Sequence, residues 1–126
     1  MNHINSPATD DSAIEREIQA KGKTAPRVTP ADLQANIVSA HYFTAAEGVI
    51  GESGHDFDAR HVAEPLKLLT FCVLVLKNGF TVTGESACAS PENFDPEIGR
   101  KIARANAEQK IWVLMGYALK EKLAAV

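Results

Sequence analysis

The stretch that decides the fold is "PLKLLTFCVLVLKNGFTVTGES", Pro65–Ser86. It begins with a nearly continuous run of Leu, Val, Phe and Thr over 66–76, which is typical of a strand covered on both faces. Asn78 and Gly79 follow, and this pair is a strong hairpin signal because both residues tolerate positive φ. A second strand over about 80–86 alternates between two sets of side chains. The stretch therefore predicts a two-stranded antiparallel β-hairpin.

A long helix follows the hairpin. Asp95 is suited to the N-cap and Pro96 to the first helical position, and the helical pattern continues to about residue 123. Between Ile111 and Leu119 this helix is apolar nearly all round, which is more than one small hairpin can cover, so we expect a second copy of the chain to pack there. Apolar residues recur along the helix at spacings of three, four and seven: Ile98, Ile102, Ala105, Trp112, Met115, Leu119 and Leu123.

The segment before the hairpin predicts one or two further helices. Residues 13–20 fit a short helix, and Thr29 is a good N-cap for a second helix that spans 29–40. A short extended piece is expected at 40–45. Residues 46–65 carry three glycines and several charges and are expected to be the least regular internal segment, either mobile or functional. The predicted class is α+β, with the hairpin packed on the C-terminal helix.

Length and composition set further limits. With 126 residues, the chain is expected to form a single domain over 13–126, preceded by a flexible N-terminus over 1–12. The net charge of -3 argues against DNA or RNA as a partner. The N-terminus lacks the pattern of a signal peptide, and the apolar runs are too short to cross a bilayer. We therefore expect no membrane partner and a cytoplasmic location.

Motifs for catalysis and for metal binding are missing. There is no Gly-x-Ser-x-Gly elbow, no GxxxxGK[ST] loop and no GxGxxG, so the sequence predicts no catalytic residue and no cofactor. The segment "HDFDARH" over 55–61 carries two His and two Asp, but its spacing fits no standard zinc pattern, and we expect a polar loop with no metal. Cys72 and Cys88 are expected to be free thiols.

The start of the long helix carries an unusual set of cations. Arg100, Lys101 and Arg104 lie in its first turns, where positive charges oppose the helix dipole. Glu97 can pair with two of them on a solvated face, or the cations could hold an anion such as a phosphate. Phe80 likewise has two interpretations: it packs on the long helix, or it offers a flat face on which a base could stack.

Two segments carry a family resemblance. "LKNGFTVTGESACASPENFDPEIGRKIARANAEQKIWVLMGYALKEKL" over 76–123 and "EIQAKGKTAPRVTPADLQANI" over 17–37 resemble a family of small phage and prophage proteins that includes the Thoeris anti-defence sponge proteins. The resemblance implies a protein that binds a cyclic ADP-ribose isomer, or in some relatives a cyclic oligonucleotide, and holds it without cleaving it. It also implies dimers or higher oligomers with pockets formed between chains.

The resemblance further implies a pocket between Phe80, which stacks on the ligand, and the polar loop over 86–93. Ser90 stands where relatives often carry Asn or Asp, which is a departure from the family pattern. The ligand-binding residues so implied are Phe80, Ser86, Ser90, Asn93, Arg60 and Arg104. The expected function is sequestration of a cyclic nucleotide immune signal in the host cytoplasm, with no enzymatic activity. The alternative is a small phage structural or host-interaction protein that acts through its dimer surface without a nucleotide.

Overall fold

The computed structural model describes residues 10–54 and 62–125, which form an α+β fold. A three-stranded antiparallel sheet carries the long C-terminal helix on one face, and three shorter helices flank it. In chain order the elements are α1 (Asp11–Ala20), α2 (Pro30–Ala35), β1 (Ile37–Thr44), α3 (Ala45–Ser53), a 3₁₀ helix (Glu64–Leu68), β2 (Leu69–Leu76), β3 (Thr81–Ala87), a second 3₁₀ helix (Pro91–Asn93) and α4 (Pro96–Ala124).

The sheet has one more strand than the sequence predicted. Strand β2 lies in the centre, and Cys72 on it faces Tyr42 of β1 and Gly84 of β3. The prediction of a helix over 29–40 was wrong in its second half, because α2 ends at Ala35 and the chain then enters β1. Asn36 marks this change: its backbone carbonyl accepts a hydrogen bond from Lys77 N–H at 3.0 Å, which ties the end of α2 to the hairpin.

The predicted hairpin is present, but its turn differs in detail. Gly79 has a φ of 88°, whereas Asn78 does not adopt positive φ. The Gly79 N–H donates to the Leu76 carbonyl at 2.9 Å, and the Leu76 N–H donates to the Phe80 carbonyl at 2.9 Å. This is a three-residue loop that ends in a left-handed glycine, rather than the two-residue turn with positive φ at both positions that the Asn-Gly pair favours. The Asn78 side chain accepts from Phe80 N–H at 2.9 Å instead.

Within the described residues, strand β2 is buried on one face and only half-buried on the other, so the expected full cover on both faces is not observed there. Thr70, Cys72, Leu74 and Leu76 are buried, while the residues between them are half-buried. The buried residues face α4, and the alternate ones lie on the opposite face of the sheet. The apolar run therefore forms a strand with one core face and one apolar outer face.

Helix α4 packs on the sheet through small residues rather than through the predicted stripe of large ones. The residues it buries are Gly99, Ala103, Ala107 and Ile111, at a spacing of four. Gly84 explains this choice: a Cβ built at that position would lie 2.2 Å from the Ala103 carbonyl oxygen, so the helix rests directly on the strand backbone. The larger apolar residues therefore lie on the flanks of the helix.

The shorter helices are fixed by caps and by polar contacts. Thr29 and Asp32 form a capping box at α2, and Thr44 and Glu47 form another at α3. Helix α3 and the first 3₁₀ helix occupy much of 46–65, which the sequence predicted to be the least regular segment. None of the residues of α1 is buried; hydrogen bonds join this helix to the rest of the chain at two places.

Candidate functional site

The predicted ligand-binding residues of the hairpin and the following loop lie at opposite ends of strand β3. Phe80 lies just before the strand, whereas Ser86 lies near its other end. At about 3.3 Å per residue, six residues of strand place them roughly 20 Å apart. A single chain therefore does not bring Phe80 and the 86–93 loop together, and a shared pocket would need a contribution from a second copy.

Phe80 forms one wall of an open groove beside the hairpin. Phe80 is 56% exposed and does not join the buried core. The groove has a volume of ≈ 450 Å³, and we call it the Phe80 groove. Lys110 supplies its cation, with Nζ 3.5 Å from the Thr83 hydroxyl oxygen. The lining residues are Phe80, Thr81, Val82, Thr83, Lys110, Val113 and Leu114.

The polar loop after β3 offers fewer accessible groups than predicted. Ser86 is only 1% exposed and lies in the sheet position that faces α4, opposite Thr70. Its hydroxyl therefore lies in the interior of the fold rather than on the surface. Ser90 is half-buried, and its carbonyl accepts from Cys88 Sγ at 3.2 Å and from Asn93 N–H at 3.1 Å. The Asn93 side chain is exposed and is the most accessible polar group of this set.

Arg104 is held by acceptors of the chain itself. Its guanidinium donates to Glu108 at 2.9 Å, to Gln34 at 3.0 Å and to the Tyr42 hydroxyl at 3.4 Å. The hydrogen bond to Tyr42, followed by that to Glu108, raises the pKa of Arg104 despite partial burial. These contacts join α4 to α2 and β1, so a phosphate at Arg104 would have to compete with them. Arg60 lies outside the described residues, as does the "HDFDARH" segment.

A second cavity, which the sequence did not reveal, lies at the start of α4. It has a volume of ≈ 220 Å³, and we call it the Arg100 cavity. Lys101 and Arg104 each pair with a carboxylate of their own helix, whereas Arg100 has no ion pair within the described parts of the chain. The lining residues are Tyr42, Phe43, Thr44, Glu47, Thr70, Phe94, Pro96 and Arg100.

Thr70 gives the Arg100 cavity its most unusual feature. The residue is 3% exposed, and its hydroxyl has no hydrogen-bond partner among residues 10–54 and 62–125. A buried hydroxyl without a partner costs free energy and is uncommon in folded proteins. Arg100 was visible in the sequence as an unusual charge, but Thr70 lies within an apolar strand, where no local pattern indicates an unpaired hydroxyl.

The described residues give no sign of a metal site or of a membrane span. No group of three or more His, Cys, Asp or Glu side chains within 10–54 and 62–125 is placed to hold a metal ion. No helix in the same parts of the chain is both long enough and apolar enough to cross a membrane.

Comparison with known proteins gives one match. The family model described as "Phage protein (N4 Gp49/phage Sf6 gene 66) family" matches residues 28–123, which include every described element from α2 to β3 and nearly all of α4. No curated protein and no solved structure matches the chain. Helix α1 precedes the matched region.

Proposed function

Because this chain belongs to the phage protein (N4 Gp49/phage Sf6 gene 66) family, we propose that it is a phage-encoded anti-defence protein. In this proposal it binds a cyclic nucleotide immune signal, of the cyclic ADP-ribose or cyclic oligonucleotide class, and holds it without cleaving it. The observation that supports the proposal is the exposed Phe80 side chain on the wall of the Phe80 groove, with the Lys110 amine in the same groove.

An aromatic face and a cation in one groove suit the two parts of a nucleotide. Any nucleobase can stack on an aromatic ring, because every base has a flat π-face, and an ammonium group attracts a phosphate. The groove volume of ≈ 450 Å³ falls within the range of small-molecule sites, about 300–1,000 Å³. The groove is open along Val113 and Leu114, and a second copy packed on this side of α4 would enclose the ligand.

The absence of turnover is part of the proposal. The groove lining contributes two threonine hydroxyls and one lysine, but no carboxylate, histidine or cysteine that could act as a general base or as an activated nucleophile. Tight binding with slow release would be sufficient to remove a signal molecule from solution.

The test measures binding and ligand recovery in the same sample. Purified protein is titrated with a cyclic ADP-ribose isomer by calorimetry, then heated, and the released nucleotide is analysed by chromatography. We expect binding and recovery of intact ligand. Phe80→Ala should weaken binding by about ten- to a hundredfold, since one base stack is worth about 1–3 kcal/mol, while Phe80→Tyr keeps the ring and serves as the matched control.

The possible results separate the hypotheses. A chemically altered product on heating would indicate an enzyme. A folded Phe80→Ala variant that binds as tightly as wild type would place the ligand elsewhere. Arg104→Ala tests the sequence-based hypothesis at that residue: loss of a phosphate contact would weaken binding and reduce its salt dependence, whereas unchanged binding would leave Arg104 with its structural contacts alone.

A structural or host-interaction protein is the second candidate function. Val113 is 72% exposed and Tyr117 is 69% exposed on the same helix, so α4 carries an uncovered apolar surface in the single chain. Such a surface is typical of a protein–protein contact. If no nucleotide of either class binds, while sedimentation shows a stable oligomer, this second function is favoured over the first.

A further inference from the structure

We propose that the Arg100 cavity is a second binding site, separate from the Phe80 groove, for a small ring-bearing oxyanion with a single negative charge. The cavity combines three aromatic side chains with a guanidinium and a buried hydroxyl that have no partner among the described residues. It lies at the end of the sheet where β2 begins, whereas the Phe80 groove lies at the hairpin end. The two sites can therefore be tested independently.

The guanidinium of Arg100 determines the charge of the ligand. Arginine carries only donors and remains protonated, so it needs an acceptor, preferably a planar oxyanion that can take two parallel hydrogen bonds. The adjacent cation, Lys101, is less available to a ligand, because it already pairs with Glu97 at 3.4 Å. Within the described chain Arg100 thus has the free donors that a ligand could use.

The hydroxyl of Thr70 supplies a second and independent indication of a ligand. Thr70 lines the cavity and is 3% exposed, and no described group of the chain accepts a hydrogen bond from its hydroxyl or donates one to it. A ligand oxygen at this position would satisfy the hydroxyl and would recover the cost of its burial. Arg100 and Thr70 come from different elements, so α4 and β2 would bind the same group from two sides.

The remaining walls indicate the body of the ligand. Tyr42, Phe43 and Phe94 provide apolar ring surfaces, and a planar ring packs favourably against such surfaces. The volume of ≈ 220 Å³ lies below the usual range for small-molecule pockets, about 300–1,000 Å³, which favours one ring with one charged group over a whole dinucleotide.

Glu47 limits the charge of the ligand to one. Its carboxylate also lines the cavity, where it accepts hydrogen bonds from the Thr44 N–H at 2.9 Å and from the Thr44 hydroxyl at 3.2 Å. These bonds fix the carboxylate in the cap of α3, and its charge would repel a dianion more strongly than a monoanion. A carboxylate or a phosphodiester fits this balance, whereas a phosphomonoester dianion does not.

The experiment uses two probes, benzoate and phenyl methyl phosphate, which carry the same single charge on different acids. Acetate and benzyl alcohol are the controls that lack the ring or the charge. Binding is followed by two-dimensional NMR on the full-length protein, in wild type and in Arg100→Gln, Thr70→Val, Lys101→Gln and Phe80→Ala. Lys101→Gln is the matched control, because it removes the adjacent cation, which does not line the cavity.

We expect at least one probe to shift the amide signals around Thr70 and Arg100. Comparison of the dissociation constants of the two probes identifies the preferred acid. Arg100→Gln and Thr70→Val should weaken binding at least tenfold, while Lys101→Gln and Phe80→Ala should leave it within twofold of wild type. The proposal is overturned if neither probe binds wild type, if Arg100→Gln binds equally well, or if acetate binds as tightly as benzoate.

Discussion

The contact between α4 and β3 predicts a large effect from a very small substitution, Gly84→Ala. A Cβ at this position would lie 2.2 Å from the Ala103 carbonyl oxygen and 2.3 Å from the Ala107 amide nitrogen. Both atoms belong to the backbone of a helix, so no change of side-chain rotamer can relieve the overlap. The helix has to withdraw from the sheet by about 1 Å before the contacts become ordinary van der Waals contacts.

The cost of this withdrawal can be estimated from the contacts that it loosens. Overpacking of a well-packed core costs about 1–3 kcal/mol, and a radial gap of 0.5–1 Å forfeits about a quarter to a half of each dispersion contact. Ala103, Ala107 and Ile111 are completely buried in the interface that would open. We therefore expect a loss of about 3 kcal/mol in the free energy of unfolding, a large part of the 5–15 kcal/mol typical of a domain.

Urea denaturation followed by far-UV circular dichroism measures this loss. Gly116→Ala is the matched control, because it makes the same chemical change on α4 at a position with no neighbouring atom within 4 Å. Since alanine favours a helix interior over glycine, this control should raise stability by up to about 1 kcal/mol. The two substitutions should thus change the free energy of unfolding in opposite directions. A Gly84→Ala protein as stable as wild type would refute the close approach of helix and strand.

Three further predictions follow from other contacts. Thr70→Val should raise the free energy of unfolding by about 1 kcal/mol in the absence of ligand, because an unpartnered hydroxyl is replaced by a methyl group; urea denaturation measures the change, and a fall in stability would contradict it. Hydrogen bonds from Arg27, then from Gln19, hold the pKa of Glu15 at about 2, below its ordinary value of 4.5. This pair should stabilise the fold fully above pH 4.5 and lose its effect as the pH falls towards 2. Unfolding midpoints between pH 6 and 2 should therefore fall less steeply in Glu15→Gln than in wild type, and parallel curves would argue against the pair. Trp112→Glu should prevent assembly and impair folding, because it buries part of an unpaired charge; sedimentation should show a dimer or larger species for wild type at micromolar concentration, whereas a 13.6 kDa wild-type monomer would contradict the assembly.

The elements predicted correctly are those with strong local signals. The Asn78-Gly79 turn, the apolar run of β2 and the cap at Asp95 each involve residues close in sequence, and the structure has the hairpin and helix α4 that they predict. The expected extended piece at 40–45 matches the second half of β1, but the first half was predicted as helix because Leu33, Ile37 and Ala40 fit a helical spacing equally well. Only pairing with β2, whose partner residues lie 26 to 39 positions away, decides in favour of a strand.

In the candidate sites too, features that depend on residues close in sequence were predictable, whereas features that depend on long-range packing were not. The unusual position of Arg100 was indicated by the start of the helix, whereas the sequence left Phe80 with two interpretations, one packed on the helix and one exposed, of which the structure has the exposed one. The separation of Phe80 from the 86–93 loop, the burial of Ser86 and the unpaired hydroxyl of Thr70 depend on where α4 rests on the sheet. That position is determined by Gly84, whose importance appears only when helix and strand are seen in contact.

The attachment of α1 gives the protein a natural optical probe. Trp112 is the single tryptophan of the chain, and its indole N–H donates to the Asp11 carboxylate of α1 at 3.2 Å. Because α1 buries no residue of its own, it can separate from α4 without unfolding the sheet. Fluorescence emission of Trp112 would then shift towards the red under conditions in which circular dichroism still shows a folded core. Time-resolved quenching of the same residue would give the rate of this local opening without any added label.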